Sequence, residues 1–346
     1  MKHLHDKLLT ILLVVCVAVA LDTAYAGRGD KTGTSAAPEL LIPVGARDLA
    51  LGGSSLATTS GIEAIFWNPA GLARSSFASE AMFSHMNYIA DIGVEYLAIG
   101  ANFGGFGSIG LSLKALSFGT IEITTEDVPD GTGETFTPAY FTIGLTYSRL
   151  LTDRISVGFT TNLISERLDR VSATGVGFNA GLQYSGFANI SGLSIGVAVK
   201  NIGPTMKFDG PGLLRQATAT DLTSPSSPFK IEASSDELPS IIELGVAYQH
   251  KFEEQSVVTF SSLFQNNNFS DDEYKFGLEY AYDNTLFARG GYNVSQETIK
   301  DSYIYGATVG AGVHYAFSGL DVTFDYAFRD VKFLSSNHIF SLKLGF

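Results

Sequence analysis

The last ten residues, 337–346, read NHIFSLKLGF. From Phe340 onward, large apolar residues alternate with small or charged ones: Phe340, Leu342, Leu344 and Phe346 against Ser341, Lys343 and Gly345. Period two is the mark of a β-strand with two unlike faces. If such a strand lies in lipid, both of its edges must be paired, because each unpaired backbone group there costs several kcal/mol. The expectation is that this terminal strand closes a sheet against the first one.

The same alternation runs back through the chain. Ile242, Leu244, Val246 and Tyr248 oppose Glu243, Gly245 and Ala247; Phe276, Leu278, Tyr280 and Tyr282 oppose Gly277, Glu279 and Ala281. Leu320, Val322, Phe324, Tyr326 and Phe328 oppose Asp321, Thr323, Asp325 and Ala327. A soluble sandwich would bury the apolar face and wet the other. A membrane barrel turns the apolar face to lipid and the small, polar face to its lumen.

The loops decide between these. About 14 strands are expected, near 79–90, 92–103, 106–118, 138–150, 153–167, 172–186, 191–202, 239–252, 254–266, 272–283, 284–293, 302–317, 318–330 and 336–346. Each is long enough for a tilted bilayer path of about 9–11 residues. Tight connections follow even strands, at Gly104-Gly105, Leu151-Thr152, Asp283-Asn284 and Ser318-Gly319. The long ones, 119–137, 203–238 and 294–301, follow odd strands. Short turns on one side and long loops on the other belong to an outer-membrane barrel. The fold class expected is therefore all-β, a transmembrane antiparallel barrel of about 14 strands.

Composition agrees. Residues 1–26 carry Lys2 and Lys7, an apolar run over 8–21 and Ala24-Tyr25-Ala26, which together read as a secretory signal peptide. The single cysteine, Cys16, lies inside it, so a disulfide framework is not expected. The net charge of −13 argues against nucleic acid as a partner. Charged residues are only 16%, below the roughly 25% of soluble domains. No nucleophile elbow, phosphate loop or metal-ligand spacing is present, so the chain is not read as an enzyme and no cofactor is expected. Asp127 and Asp130 could face a calcium ion, but such a run is ordinarily a solvated loop.

Glu243, Lys275, Glu279, Asp321, Asp325, Arg329 and Lys343 share strand parity with small residues. Lys or Arg facing lipid at mid-depth costs about 2–4 kcal/mol. These charges are expected to face the lumen, as a hydrogen-bonded filling or as part of a ligand path.

Residues 27–75 lack the alternation. The stretch 27–39 is small and polar and reads as a disordered linker. Within 41–75, ARDLAL and IEAIFW suggest short helical turns, and Asn68-Pro69 suggests a helix start, with Asn68 as cap and Pro69 at the first position. This stretch resembles the N-terminal signature of the PorV/PorQ family of outer-membrane barrels, which is related to the FadL-type long-chain fatty acid transporters. The matching residues are Gly45-Ala46-Arg47, Leu51-Gly52-Gly53 and Phe66-Trp67-Asn68-Pro69-Ala70-Gly71-Leu72; KNIGPTMKFDG (200–210) and LPSIIELGVAY (238–248) resemble the family's central region. The terminal strand ending in Phe346 also resembles the signal read by the outer-membrane assembly machinery. The family's acidic pair within the signature is replaced here by Thr58, Thr59 and Ser60, followed by Glu63.

The resemblance implies a location in the bacterial outer membrane, in contact with its lipid. It also implies a division into a signal peptide (1–26), a linker and lumen hatch (27–75) and a barrel (76–346). Arg47, Asp48, Gly52, Gly53, Phe66, Trp67, Asn68 and Pro69 would form the hatch and ligand path. Two roles follow from it: passage of hydrophobic small molecules such as fatty acids, as in FadL-type barrels, or binding of exported partner proteins within the type IX secretion system.

Overall fold

The computed structural model describes residues 31–217, 227–252, 254–297 and 303–346. The leader read over 1–26 lies outside them. Fourteen strands form one closed antiparallel barrel. They are β1 (Ser79–Asn87), β2 (Gly93–Asn102), β3 (Ser108–Ser117), β4 (Ala139–Leu150), β5 (Ile155–Leu168), β6 (Val171–Ser185), β7 (Leu193–Ile202), β8 (Ile241–Lys251), β9 (Ser256–Asn267), β10 (Glu273–Tyr282), β11 (Leu286–Ser295), β12 (Tyr305–Phe317), β13 (Leu320–Val331) and β14 (Asn337–Gly345). The final strand does close on the first: Phe83 stands opposite Leu342, and Ser84 opposite Ser341.

The two faces segregate as the alternation requires. On the outside, Phe83 is 48% exposed and Leu342 41%, an apolar surface that only lipid would cover. On the inside, Ser84 and Ser341 are each 2% exposed. Among the described residues no helix is long and apolar enough to cross a membrane.

Even-to-odd connections are tight. At Asp283-Asn284 both residues have positive φ, 53° and 49°. Two successive left-handed residues match the twist of a hairpin, and Asp and Asn tolerate that conformation best after glycine. On the opposite rim the long connections fold back on themselves. Ile121–Glu122 pairs with Thr135–Phe136, and Met206–Lys207 pairs with Ser235–Asp236. Buried Met206 and Leu238 then pack against Ala37, Leu40, Ile164 and Ala173, which ties both ends of the second connection to the segment before β1 and to the wall.

The segment before β1 fills the lumen. It contains α1 (Ala46–Ala50), α2 (Ala64–Trp67) and several 3-10 turns, including Pro38–Leu41 and Pro69–Arg74. The helical turns expected in ARDLAL and IEAIFW are both present. Asn68 caps the last turn as read, its side-chain oxygen accepting from Ala70 N at 3.2 Å. Elsewhere the turns are too short to satisfy their own backbone groups, and the wall supplies the partners. Ser341 Oγ accepts from Ala46 N at 2.8 Å, and Thr308 Oγ1 donates to Ala50 O at 2.9 Å. Gln183 Nε2 donates to Leu56 O and Thr59 O, Ser148 Oγ to Ala70 O, and Lys114 Nζ to Ile42 O. These partners come from β14, β12, β6, β4 and β3. One short segment can reach all of them only from inside the ring.

Close approach explains two glycines. An added Cβ at Gly158 or Gly181 would collide with Pro69 or Asn68, so those wall positions must stay bare for the plug to seat. The disorder expected over 27–39 needs one correction, within the described part of that stretch, 31–39. By Ala36 the chain is already packed: Ala36 N donates to Glu237 O at 2.9 Å, and Ala37 and Glu39 are buried. The polar composition of 27–39 hid this, because Ala36, Ala37 and Leu40 find their apolar partners on distant strands and a loop.

Candidate functional site

Two features occupy the lumen: a buried ion cluster that seats the plug, and a cavity on the long-loop side of the plug.

The cluster joins β10, β11, β13 and β14 to the plug. Arg289 Nε lies 2.6 Å from Glu279 Oε2, and its Nη1 lies 2.6 Å from Asp325 Oδ1. Arg47 reaches the same Glu279 with two N–H groups, at 3.2 and 3.3 Å. Lys343 Nζ lies 3.0 Å from Glu63 Oε2. Charges taken this far out of water persist only when paired, and here the pairing stitches plug to wall. Burial works against ionisation of Glu63, but Lys343 and Arg47 beside it hold its carboxyl below the usual range. Asp48 is the odd carboxyl. Ser55 Oγ donates to its Oδ1, while Oδ2 has no hydrogen-bond partner. Burial, with Glu63 nearby, pushes Asp48 up to about 6.

The cavity has a volume of about 360 Å³. Its floor is apolar and belongs to the plug: Ile42, Leu49, Ile65, Phe66 and Trp67. Phe66 and Trp67 meet edge to face, with ring centroids 5.2 Å apart, and Trp67 Nε1 donates to Val44 O at 3.0 Å. The walls carry Lys114, Lys200, Glu243, Lys275 and Arg329. Lys200 pairs with Glu243 at 2.7 Å, and Lys275 with Glu273 at 3.2 Å. Lys114 stands over the Phe66 ring at 4.8 Å. Arg329 stacks on Tyr305 at 3.9 Å and donates to Asn337 Oδ1. Tyr88, Ser270, Tyr303 and Ile304 of the odd-to-even loops complete the rim.

The residues singled out from the sequence therefore divide. Gly52, Phe66, Trp67, Glu243, Lys275 and Arg329 line the cavity. Arg47, Asp48, Glu279, Asp325 and Lys343 belong to the ion cluster. Gly53 lies against the Trp67 ring, and Pro69 against Gly158. Asn68 donates to Leu56 O and Leu182 O and so fastens the plug. Asp321 lies near the short-turn end of β13 and pairs with His314 at 2.7 Å. Asp127 and Asp130 are exposed, and among the described residues no group of three metal-ligating side chains occurs.

The sequence reading passed over Arg289, Lys114, Lys200, Glu39 and Glu166. Parity could have found the first two, since Arg289 shares a face with Gly291 and Asn293, and Lys114 with Ser112 and Gly110. Glu39 lies outside any periodic segment.

A closed 14-strand barrel with an apolar outer belt, short turns on one rim and long loops on the other is an outer-membrane β-barrel. Residues 26–227 match the family model described as type IX secretion system protein PorV, and the chain belongs to that family. No curated protein sequence matches the chain. Several solved structures share the fold. The Ralstonia pickettii toluene transporter TbuX aligns at a TM-score of 0.57 and 15% identity, covering 88% of this chain and 99% of that one. The Pseudomonas putida toluene transporter TodX gives 0.56 and 15%, covering 87% and 97%. The CymD monoaromatic hydrocarbon channel gives 0.54 and 14%, covering 88% and 98%.

Proposed function

We infer that this barrel admits hydrophobic small molecules, fatty acids among them, at its long-loop mouth and passes them across the outer membrane. The observation that carries this reading is the cavity of about 360 Å³ floored by Ile42, Leu49, Ile65, Phe66 and Trp67. A concave apolar floor with a few convergent polar groups is the usual form of a small-molecule site. The plug is the hatch in this reading: Phe66 and Trp67 form the floor, and passage requires that the plug shift. The barrels of similar fold described as toluene transporters and as a monoaromatic hydrocarbon channel lend this reading support at the level of fold. The role is one of binding and passage, without chemistry on the ligand.

Family membership favours a second reading, in which the barrel receives exported partner proteins of a type IX secretion system on its long loops, 119–137 and 203–238. One experiment separates the two. The tagged barrel is extracted from outer membranes in mild detergent, and everything that co-purifies is identified by mass spectrometry. Enrichment of fatty acids or other apolar small molecules, without a stoichiometric protein, is the result expected for passage of small molecules. A stoichiometric exported protein, lost on deletion of the long loops, would replace that reading with the second.

A further inference from the structure

Glu39 sits in the Pro38–Leu41 turn, where the plug segment first meets the wall. It is 2% exposed, and Glu166 on β5 is 3% exposed. Neither oxygen of Glu39, nor Oε1 of Glu166, has a hydrogen-bond partner in the structure, and the Glu166 carboxyl also lies by the Ala37 backbone. The two carboxyls are side-chain neighbours, brought together where Ala37 and Leu40 pack against Ile164 and Ala173. Ionised carboxylates only accept, so such a contact holds when one proton lies between them and repels when none does.

The surroundings fit a single shared proton. The cation acting on Glu39 is Lys114 of β3, whose ammonium donates to Ile42 O at 2.9 Å. Lys200 of β7 faces Lys114, and Tyr140 of β4 faces both carboxyls. From β6 and the long loop, Ala173, Met206, Phe208 and Leu238 pack here, all apolar. Lys114 balances one ionised carboxylate, which leaves the other to be neutral. Burial pushes the Glu39 carboxyl above its usual range.

This pair fixes a piece of the cavity. Pro38, Leu40, Leu41 and Ile42 line one side of it. The segment is bounded by Ala37 and Gly45, both at positive φ, 47° and 83°. We propose that Glu39 and Glu166 form a proton-operated latch: sharing one proton, they hold residues 36–42 against β5, and when both ionise they release that side of the cavity. An acid whose proton is held more tightly in the latched state strengthens that state as pH falls. The stabilisation is lost as pH rises through the raised pKa.

The test is hydrogen exchange, followed by mass spectrometry, on the full-length barrel without ligand; its outcome is independent of what the cavity binds. After correction for intrinsic exchange, protection of residues 36–42 is expected to fall about tenfold or more between about pH 5 and about pH 9, while the strands keep theirs. Glu166→Gln supplies a permanent donor to Glu39, and the fall should disappear. Glu39→Gln should abolish it equally, and serves where the first variant does not assemble. Wild-type protection that ignores pH, or a Gln variant that keeps the wild-type pH response, would overturn the latch.

Discussion

Arg289 carries two buried carboxylates at once, Glu279 and Asp325, each at 2.6 Å. Its loss would leave both without their closest cation, with Arg47 still reaching Glu279. Removing one partner of a buried ion pair typically costs about 3–5 kcal/mol. Arg289→Leu is therefore expected to lower barrel stability by that order, measured by urea unfolding in phospholipid vesicles; a change below about 1 kcal/mol would mean that water reaches the cluster. Asp48 makes the opposite prediction. Its pKa rises from 3.8 to about 6 in the seated plug, so it stabilises the seat below about pH 4 and loses that contribution as pH rises through about 6. The swing is about 3 kcal/mol at 1.36 kcal/mol per unit. Asp48→Asn should flatten the pH dependence of unfolding over this window and raise stability at neutral pH; an unchanged profile would assign the titration elsewhere. These residues show what sequence could and could not convey. Parity places Asp325 and Glu279 inside the barrel, because a strand offers only two directions. It cannot say that Arg289 bridges them, since that contact joins three strands whose adjacency exists only once the ring closes. Glu39 was illegible for a stronger reason: its partner lies on a distant strand, and no local period marks it.

At the scale of the element, strands were the most legible part of the chain. No observed strand end lies more than three residues from its expected place, because every strand repeats the same two-faced pattern and ends at a turn with its own chemistry. The plug's helical turns were legible through Asn68-Pro69 and the ARDLAL and IEAIFW stretches, but their seats were not. Those depend on bare wall positions such as Gly158 and Gly181, which in sequence look like any other small residue. The outward face gives a direct prediction. Leu342 stands beside Phe83 and Phe324 in the apolar belt. Leu342→Arg should cost about 2–4 kcal/mol if that face meets lipid near mid-depth. Folding into vesicles, read by heat-dependent gel migration and by urea titration, measures it. A neutral outcome would place this stretch of β14 away from the hydrocarbon. The same strand's inner face behaves differently: Ser341 works through its hydrogen bond to Ala46 N, and Lys343 through Glu63, so substitutions there should act on the plug before they act on the barrel.

For the whole molecule, the central question is whether the plug seals the ring or stabilises it. A barrel's width grows with strand number: about eight strands leave room only for side chains, while sixteen to eighteen leave an aqueous channel. Fourteen strands enclose more space than wall side chains alone can fill, and here the remainder is occupied by residues 38–75, hydrogen-bonded to strands around the ring. Every strand already has both edges paired by its neighbours, so the plug is not needed to close the sheet. Its removal should therefore leave a folded barrel with an open lumen. A variant lacking residues 38–75 is expected to insert into planar bilayers and give discrete, long-lived conductance steps, whereas the intact chain at the same density gives none. The wall groups freed by the deletion, Glu279, Asp325 and Lys343 among them, would then face water, where their pairing matters less. Stability should fall mainly through the lost apolar contacts of Ile62, Ile65 and Leu72 with Met82, Tyr96 and Ala98. Equal conductance with and without the plug would show that the lumen already conducts around it, and passage would then need no movement of the plug. Failure of the variant to fold would make the plug part of the barrel's structure, as its hydrogen bonds to β3, β4, β6, β12 and β14 also allow, and the search for a moving part would narrow to the Pro38–Ile42 side of the cavity.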